Sequence, residues 1–405
     1  MFDRSICTKA IKLSFHVFIV FVITAVHSGL YAQQARVNLD WNPFENTENL
    51  VPNYAQVNSP QVNDDRTVTF RLLAPGAHEV SLSGYSLLPA MGVDSQSIPF
   101  TKDAEGLWTL TVGPVPQDIY VYHFVVDGVT VVDPNNTYVG SSDQPGYSEL
   151  IVHGDGPAYY DAKDVPHGAV TRHIYHSDVT KGEREMYVYT PPNYDASKQY
   201  PVLYLVGGSG ELASSWSTDG RVNFMMDNLL AEGKAVPMII AMPNNQLLHR
   251  RHPQHVQLTF DLFEKELREQ VIPFVESHYS VKQDRRARAL SGLSMGGRHT
   301  QIVGFRNLDL FASFGVLSSG DVNTESVSSD FLNTPDINAQ VDYLFVGQGA
   351  READRPNNRT VALVESLKKH GIEHEYYVGG GGHDWTTWRH LLYFRFLPGL
   401  WQNLD

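Results

Sequence analysis

The sequence predicts an α/β domain with a mainly parallel central sheet, preceded by an all-β sandwich. Three observations carry this. From about 60 to 155, short runs rich in Val, Thr, Tyr and Phe are separated by Pro, Gly and Asp. From about 170, continuous apolar runs such as PVLYLVGG and PMIIAMP alternate with amphipathic stretches, as parallel strands buried on both faces require. Finally, Gly292-Leu293-Ser294-Met295-Gly296 stands between the apolar run ARAL and a helical stretch, which sets a serine on a strand-to-helix turn.

Taken in order, the chain opens with Arg4, Lys9 and Lys12, the apolar run FHVFIVFVITAV, and then SGLYAQQ. A basic start, a short apolar core and small residues up to Ala32 predict a signal peptide over residues 1–32, hence a secreted or periplasmic protein with no membrane attachment after cleavage. The run is shorter than the ~20 residues a spanning helix needs. Cys7, the one cysteine of the 405 residues, lies in that leader, so the processed chain holds neither disulfide nor thiol nucleophile. The formal charge is −14, and the leader removes a net +2, leaving about −16. Such acidity argues against nucleic acid or anionic membrane as partner.

Residues 33–59 read as an irregular lead-in. Within 60–155 the segments TVTFRLLA, HEVSLSG, LWTLTVG and DIYVYHFVVDGVTVVD read as strands of a sandwich, with Asp127-Gly128 as a tight hairpin turn and no interrupting helix. Residues 156–169 read as a linker, and 170–405 as the α/β domain. There, WSTDGRVNFMMDNLLAEGK predicts a helix ending near Gly233. In the stretch QLTFDLFEKELREQVIPFVESHY, Phe260, Phe263, Leu267, Val271, Phe274 and Val275 recur at helical spacing, with Pro273 expected to bend or divide the helix.

A serine hydroxyl needs a base within hydrogen-bond reach, and the base needs an orienting acid. In α/β-hydrolases the chain order is Ser, acid, His. His383, behind four glycines in VGGGGHDWTTWR, is the expected base for Ser294. His299 follows the serine too closely and reads as a helix-surface residue. The acid is expected just past the strand YLFVGQG, where Glu352 and Asp354 compete and Glu352 is slightly preferred. An oxyanion hole needs two backbone N–H groups. Met295 is expected to supply one, and the glycine-rich loop VGGSGE the other, from Ser209 or Gly208. Trp216, Trp385 and Trp388 are candidate substrate-binding aromatics. The three histidines of HRRHPQHV lack metal-ligand spacing and read as a loop, so no metal is expected. Nor does the chain carry a phosphate loop or dinucleotide fingerprint, so no cofactor is expected.

The stretches PPNYDASKQYPVLYLVGG, DNLLAEGKAVPMIIAMPN, VIPFVESHYSVKQDRRARALSGLSMGG, NLDLFASFGVLSSG and GGGGHDWTTWR resemble the esterase-D-like α/β-hydrolases, the carbohydrate esterase family 1 type, which include feruloyl esterases attached to xylanases. The preceding YVYHFVVDGVTVVDPNN resembles the immunoglobulin-like domain, related to glycogen-binding modules, found before such esterases. The resemblance implies ester hydrolysis with Ser294 as nucleophile and His383 as base, on feruloyl or acetyl esters of plant polysaccharide such as arabinoxylan or its oligosaccharides. The alternatives are an acetyl xylan esterase, a siderophore esterase of the enterochelin type, and a glycan-binding protein with a decayed hydrolase domain. The chain departs from the pattern at Gly207, where the resemblance implies a histidine. It departs again at the acid, where one aspartate is implied.

Overall fold

The computed structural model describes residues 57–140, 142, 146–320 and 323–402. The expected leader and most of the lead-in, Cys7 included, lie outside the described residues. Between Gln61 and Val152 the chain forms two antiparallel sheets. One runs in the order Gln61–Val62, Val68–Leu73, Leu107–Val112, Thr101–Lys102. The other runs Ile98–Pro99, Val80–Ser83, Asp118–Val126, Tyr147–Val152, Val139–Gly140, with Val129–Val131 also on Asp118–Val126. Alternate residues of both sheets meet in one core, where Phe70 packs on Tyr122 and Phe100 on Phe124 at ring separations of 4.9 and 5.3 Å. Asp127 and Gly128 both take positive φ in the two-residue turn that pairs Val126 with Val129. A single helical turn, Leu87–Ala90, interrupts the strands where none was expected; its two leucines are buried in the same core.

The second sheet system begins at Ala169. Its strands are β1 (Ala169–Ser177), β2 (Gly182–Thr190), β3 (Val202–Val206), β4 (Ile239–Pro243), β5 (Arg288–Leu293), β6 (Ser313–Leu317), β7 (Tyr343–Gly349) and β8 (Glu375–Gly379). They are ordered β1-β2-β4-β3-β5-β6-β7-β8. The expectation of a mainly parallel sheet needs correction, because the sheet is mixed. From β4 to β8 the pairings are parallel, while β1 with β2 and β2 with β4 are antiparallel. Continuous apolar runs announce only strands covered on both faces. β1, AVTRHIYHS, is a largely exposed edge strand tied to β2 by a short turn, and such a turn joins antiparallel strands only.

Helices cover both faces of this sheet, and one of its two large cores holds Phe263, Leu267, Val271 and Val275 from the predicted amphipathic helix. That helix is not divided at Pro273. His255–Glu266 passes through a π-turn at Leu267–Val271 straight into Ile272–His278. The wider turn accommodates a residue that lacks an N–H and would crowd the carbonyl four positions back. The helix predicted to end near Gly233 is instead two, Ser215–Thr218 and Val222–Ala231, broken where Arg221 takes φ 52°.

Sandwich and α/β region are joined through buried charge. Arg389, 1 % exposed, donates to Asp118 Oδ1 at 2.6 Å and the Ile119 carbonyl at 3.1 Å in the sandwich, and to the Asp219 carbonyl at 2.8 Å beside the site described below. Tyr147 donates its hydroxyl to Asp219 Oδ1 at 3.0 Å. Losing one member of a buried pair strands the other charge. We therefore expect Arg389→Ala to lower unfolding free energy by ~3–5 kcal/mol in urea titrations. Adding Asp118→Asn should recover part of that loss, since it removes the stranded carboxylate.

Candidate active site

Ser294 ends β5 and opens the helix Met295–His299 with φ 51° and ψ −114°, a backbone conformation rarely held by a non-glycine residue. The two glycines of the pentapeptide explain how it is held. A Cβ on Gly296 would lie 2.6 Å from the carbonyl oxygens of both Val206 and Gly207. One on Gly292 would lie 2.6 Å from the Gly296 carbonyl carbon. Helix and strands thus approach more closely than any side chain allows, and Ser294 N–H donates to the Leu317 carbonyl at 2.9 Å across the top of β6.

His383 brings Nε2 to 2.9 Å from Ser294 Oγ, and its Nδ1 lies 2.6 Å from Glu352 Oε1. The glycines before it have a steric reason. The loop passes so close over the end of β7 that a Cβ on Gly349 would meet the carbonyls of Gly381 and Gly382 at 2.8 and 2.7 Å. Arg351 N–H donates to the Gly381 carbonyl, and the Arg351 guanidinium pairs with Asp384 at 2.9 Å, so the loop is clamped on both sides of the imidazole.

Glu352 lies in the first turn after β7, and its carboxylate accepts three hydrogen bonds. Besides His383, Ser318 Oγ donates at 2.6 Å and Gly349 N–H at 3.0 Å. Burial raises this carboxyl. The hydrogen bonds from His383 and Ser318, the imidazole's charge and the Gly349 amide together outweigh burial and hold it below its ordinary range. Asp354, the competing candidate, is exposed and makes no side-chain contact with His383. The candidates lie two positions apart in sequence, but only Glu352, within the helix Ala350–Ala353, turns inward; Asp354 caps its end.

The loop after β3 carries a frame of side chains that sequence reading missed. Trp216 Nε1–H donates to the Val206 carbonyl at 2.9 Å, Asn245 Nδ2 to the Gly207 carbonyl at 2.9 Å, and Gln246 Nε2 to the Gly208 carbonyl at 2.9 Å. Glu211 Oε2 accepts from Gly208 N–H at 2.7 Å. This last bond corrects one expectation: the Gly208 amide is already engaged, leaving Ser209, which lines the cleft beside Ser294 and Met295, as the candidate donor from this loop. Removal from solvent pushes the Glu211 carboxyl up to about 8, opposed by the Gly208 N–H and reinforced by Asp219. Glu211 also explains the departure at Gly207, because a Cβ there would lie 2.9 Å from Glu211 Oε2 and 3.1 Å from its Cβ. The sandwich reaches the same point: Ser142 forms an antiparallel bridge with Glu211.

Trp216, Trp385 and Trp388 do not line the cleft. They are 1–4 % exposed and stack edge-on with one another behind it, at 5.1 Å for Trp216 to Trp385 and 5.4 Å for Trp385 to Trp388. Trp388 meets the His383 ring edge-on at 5.1 Å. Their places are positioning ones, and the substrate-binding expectation is corrected accordingly. His299 is also not at the surface. It is fully buried between Phe260 and Phe263, with Nδ1 bonded to the Met295 carbonyl, and burial pushes its pKa down to about 4. Of the three histidines in HRRHPQHV, His249 and His252 are exposed in turns and His255 is buried at a helix start.

Residues 177–396 match the family model "Esterase", described as "Putative esterase". The chain belongs to this esterase family. It is 32 % identical over 342 residues to an "Endo-1,4-beta-xylanase/feruloyl esterase" of Xylanibacter ruminicola, covering 82 % of this chain but 44 % of that one. The chain thus spans less than half the length of that relative. Among solved structures, a CE1 ferulic acid esterase from Anaeromyces mucronatus is 26 % identical with a TM-score of 0.52, covering 60 % of this chain and 95 % of that one. The enterobactin esterase of Shigella flexneri shares the fold over 84 % of this chain and 94 % of its own, with a TM-score of 0.62 and 18 % identity.

In this frame a histidine at position 207 would evict the Glu211 carboxyl and free the Gly208 amide from its brace. Gly207→His is therefore expected to fold, yet to lose up to ~10²-fold in kcat on a small chromogenic ester, approaching the loss of an oxyanion donor. Unchanged kcat would remove Glu211 from the frame.

Proposed function

We propose that the chain is a secreted serine carboxylesterase that releases hydroxycinnamoyl groups from plant cell-wall polysaccharide. The observation that carries the reading is the continuous relay from Glu352 through His383 to Ser294 Oγ, at 2.6 and 2.9 Å, in the wall of a cleft of about 450 Å³. Support for the substrate comes from the xylanase/feruloyl esterase and ferulic acid esterase relatives. Support for export comes from the basic and apolar leader. The sandwich before the α/β region is proposed as the immunoglobulin-like domain, acting through its contact with the loop after β3 rather than as a glycan anchor.

In this mechanism His383 Nε2 takes the Ser294 hydroxyl proton as Oγ attacks the ester carbonyl. Glu352 accepts the Nδ1–H bond, fixes the tautomer and stabilises the imidazolium. The carbonyl oxygen becomes an oxyanion facing the backbone amides of Met295 and Ser209, the former in the first turn of a helix where N–H groups have no intrahelical acceptor. Collapse expels the alcohol, which receives the proton from His383. Water, activated by the same imidazole, then releases the acyl group and restores Ser294.

Ser294→Ala is expected to cut kcat/KM on methyl ferulate by ~10³-fold or more, and adding His383→Ala should cost little further, because the groups act as one unit. Glu352→Gln should cost ~10²-fold or more, as the wrong imidazole tautomer is then favoured. Asp354→Asn should stay within about twofold of wild type, as expected of a surface group remote from the reacting atoms. Near-wild-type turnover by Ser294→Ala would end the mechanism. The breadth of the fold match to the enterobactin esterase supports a second reading, a catecholate-ester hydrolase. Comparing kcat/KM for methyl ferulate, acetyl xylan and a catecholate serine ester decides among them. Preference for either of the last two would overturn the hydroxycinnamoyl assignment.

A further inference from the structure

The cleft beside Ser294 is lined mostly by polar and charged side chains, with Met295 and Pro356 as the apolar members of its lining. Its lining includes the segment Arg355–Thr360 and Arg298, together with Ser294, Glu352 and His383. The one carboxylate in the lining is Glu352, whose oxygens are committed to His383, Ser318 and Gly349. Several arginines elsewhere are matched to acids, as in Arg351–Asp384, Arg389–Asp118, Arg288–Glu276 and Arg268–Asp309, while Arg66 and Arg251 are exposed without an ion pair among the described residues. Arg355 and Arg359 are exposed, and among the described residues neither guanidinium has an ion pair or hydrogen bond. What sets Arg355 and Arg359 apart is their place: both line the cleft that holds Ser294, in a chain of formal charge −14.

Their backbone, unlike their side chains, is firmly placed. Asn358 donates through Nδ2 to Gln348 Oε1 at 2.8 Å and to the Glu352 carbonyl at 2.6 Å, and its Oδ1 caps the helix Arg359–Lys369 by accepting from Val361 N–H at 2.9 Å. Arg355 N–H donates to the Glu352 carbonyl at 3.0 Å. The segment carrying both guanidinium groups is therefore tied to the residue that orients His383. Arg355, Asn357, Asn358 and Arg359 line both this cleft and a neighbouring depression of about 460 Å³, where Glu365 lies.

We propose that this cleft selects esters bearing a carboxylate close to the scissile bond, with Arg355 and Arg359 as the specificity-determining residues. A planar guanidinium offers paired donors that match a carboxylate, and its charge is permanent. The carboxylate belongs either to the acyl group or to an acidic sugar on the alcohol side. The proposal rests on Ser294 being the nucleophile and narrows the substrate class of that site.

Two matched pairs test it at low ionic strength. The acyl arm compares the 4-nitrophenyl monoester of glutaric acid with 4-nitrophenyl valerate. The alcohol arm compares carboxymethyl ferulate with methyl ferulate. In at least one arm the anionic ester should have about tenfold higher kcat/KM, the range of a charge-assisted hydrogen bond discounted for exposure. Arg355→Ala/Arg359→Ala should erase that preference while leaving the neutral esters within about twofold, and 0.5 M NaCl should weaken it in the wild type. Neutral esters equal or preferred in both arms, or a preference that survives in the double variant, would overturn the proposal. Loss of turnover on all four esters would strike the nucleophile reading instead. Thermal shift of Ser294→Ala then decides the carboxylate question alone: the anionic ester should raise Tm more than its neutral partner, and equal shifts would overturn the proposal.

Discussion

The site depends on one steric constraint, the approach of the helix after Ser294 to the ends of β3 and β5. With Gly296 against the carbonyls of Val206 and Gly207, no side chain separates the helix from the loop after β3. That contact sets the depth at which Ser294 turns, forces its φ to 51°, and brings the Met295 amide beside the Ser209 loop. The conformation carries a strain of ~1–3 kcal/mol, sustained because the neighbouring strands leave the chain no alternative path. The same pattern recurs one strand over. Ser318, also at φ 51°, ends β6 with its hydroxyl on Glu352, so both strands deliver a serine at a strained corner to the same relay.

Around that contact the protein uses polar side chains to hold backbone in place. Three carbonyls and one amide, at the end of β3 and in the loop after it, are taken by Trp216, Asn245, Gln246 and Glu211. Preorganised dipoles can stabilise developing charge only when they do not reorient during reaction, and this frame holds the loop backbone in that way. The tryptophans belong to it. They pack as a buried aromatic backing against His383 and the end of β3. The sandwich adds its own support through the Ser142–Glu211 bridge and the Arg389–Asp118 pair, coupling an all-β segment to the loop whose Ser209 lines the cleft.

What the sequence by itself determined is whatever periodicity, glycine placement and chain order encode locally. The apolar runs at β3 and β4 gave the buried strands. The G-x-S-x-G pentapeptide gave the turn at Ser294, and the order of serine, acid and histidine pointed to His383. Those signals are local because strands, helices and tight turns are set by neighbours in the chain. Tertiary structure alone decided the rest. Glu352 and Asp354 are chemically alike two positions apart, and only the direction of a one-turn helix sends one to His383 and the other to solvent. Glu211 and Gly207 make sense only as a pair sharing one volume. The edge strand β1 and its neighbour β2 escaped notice because part of each meets water, which removes the continuous apolar signal. Trp216, Trp385 and Trp388 looked like ligand aromatics, whereas packing claimed them. That Arg355 and Arg359 have no ion pair among the described residues emerged only from the structure, since pairing depends on distance in space, which residue order does not carry.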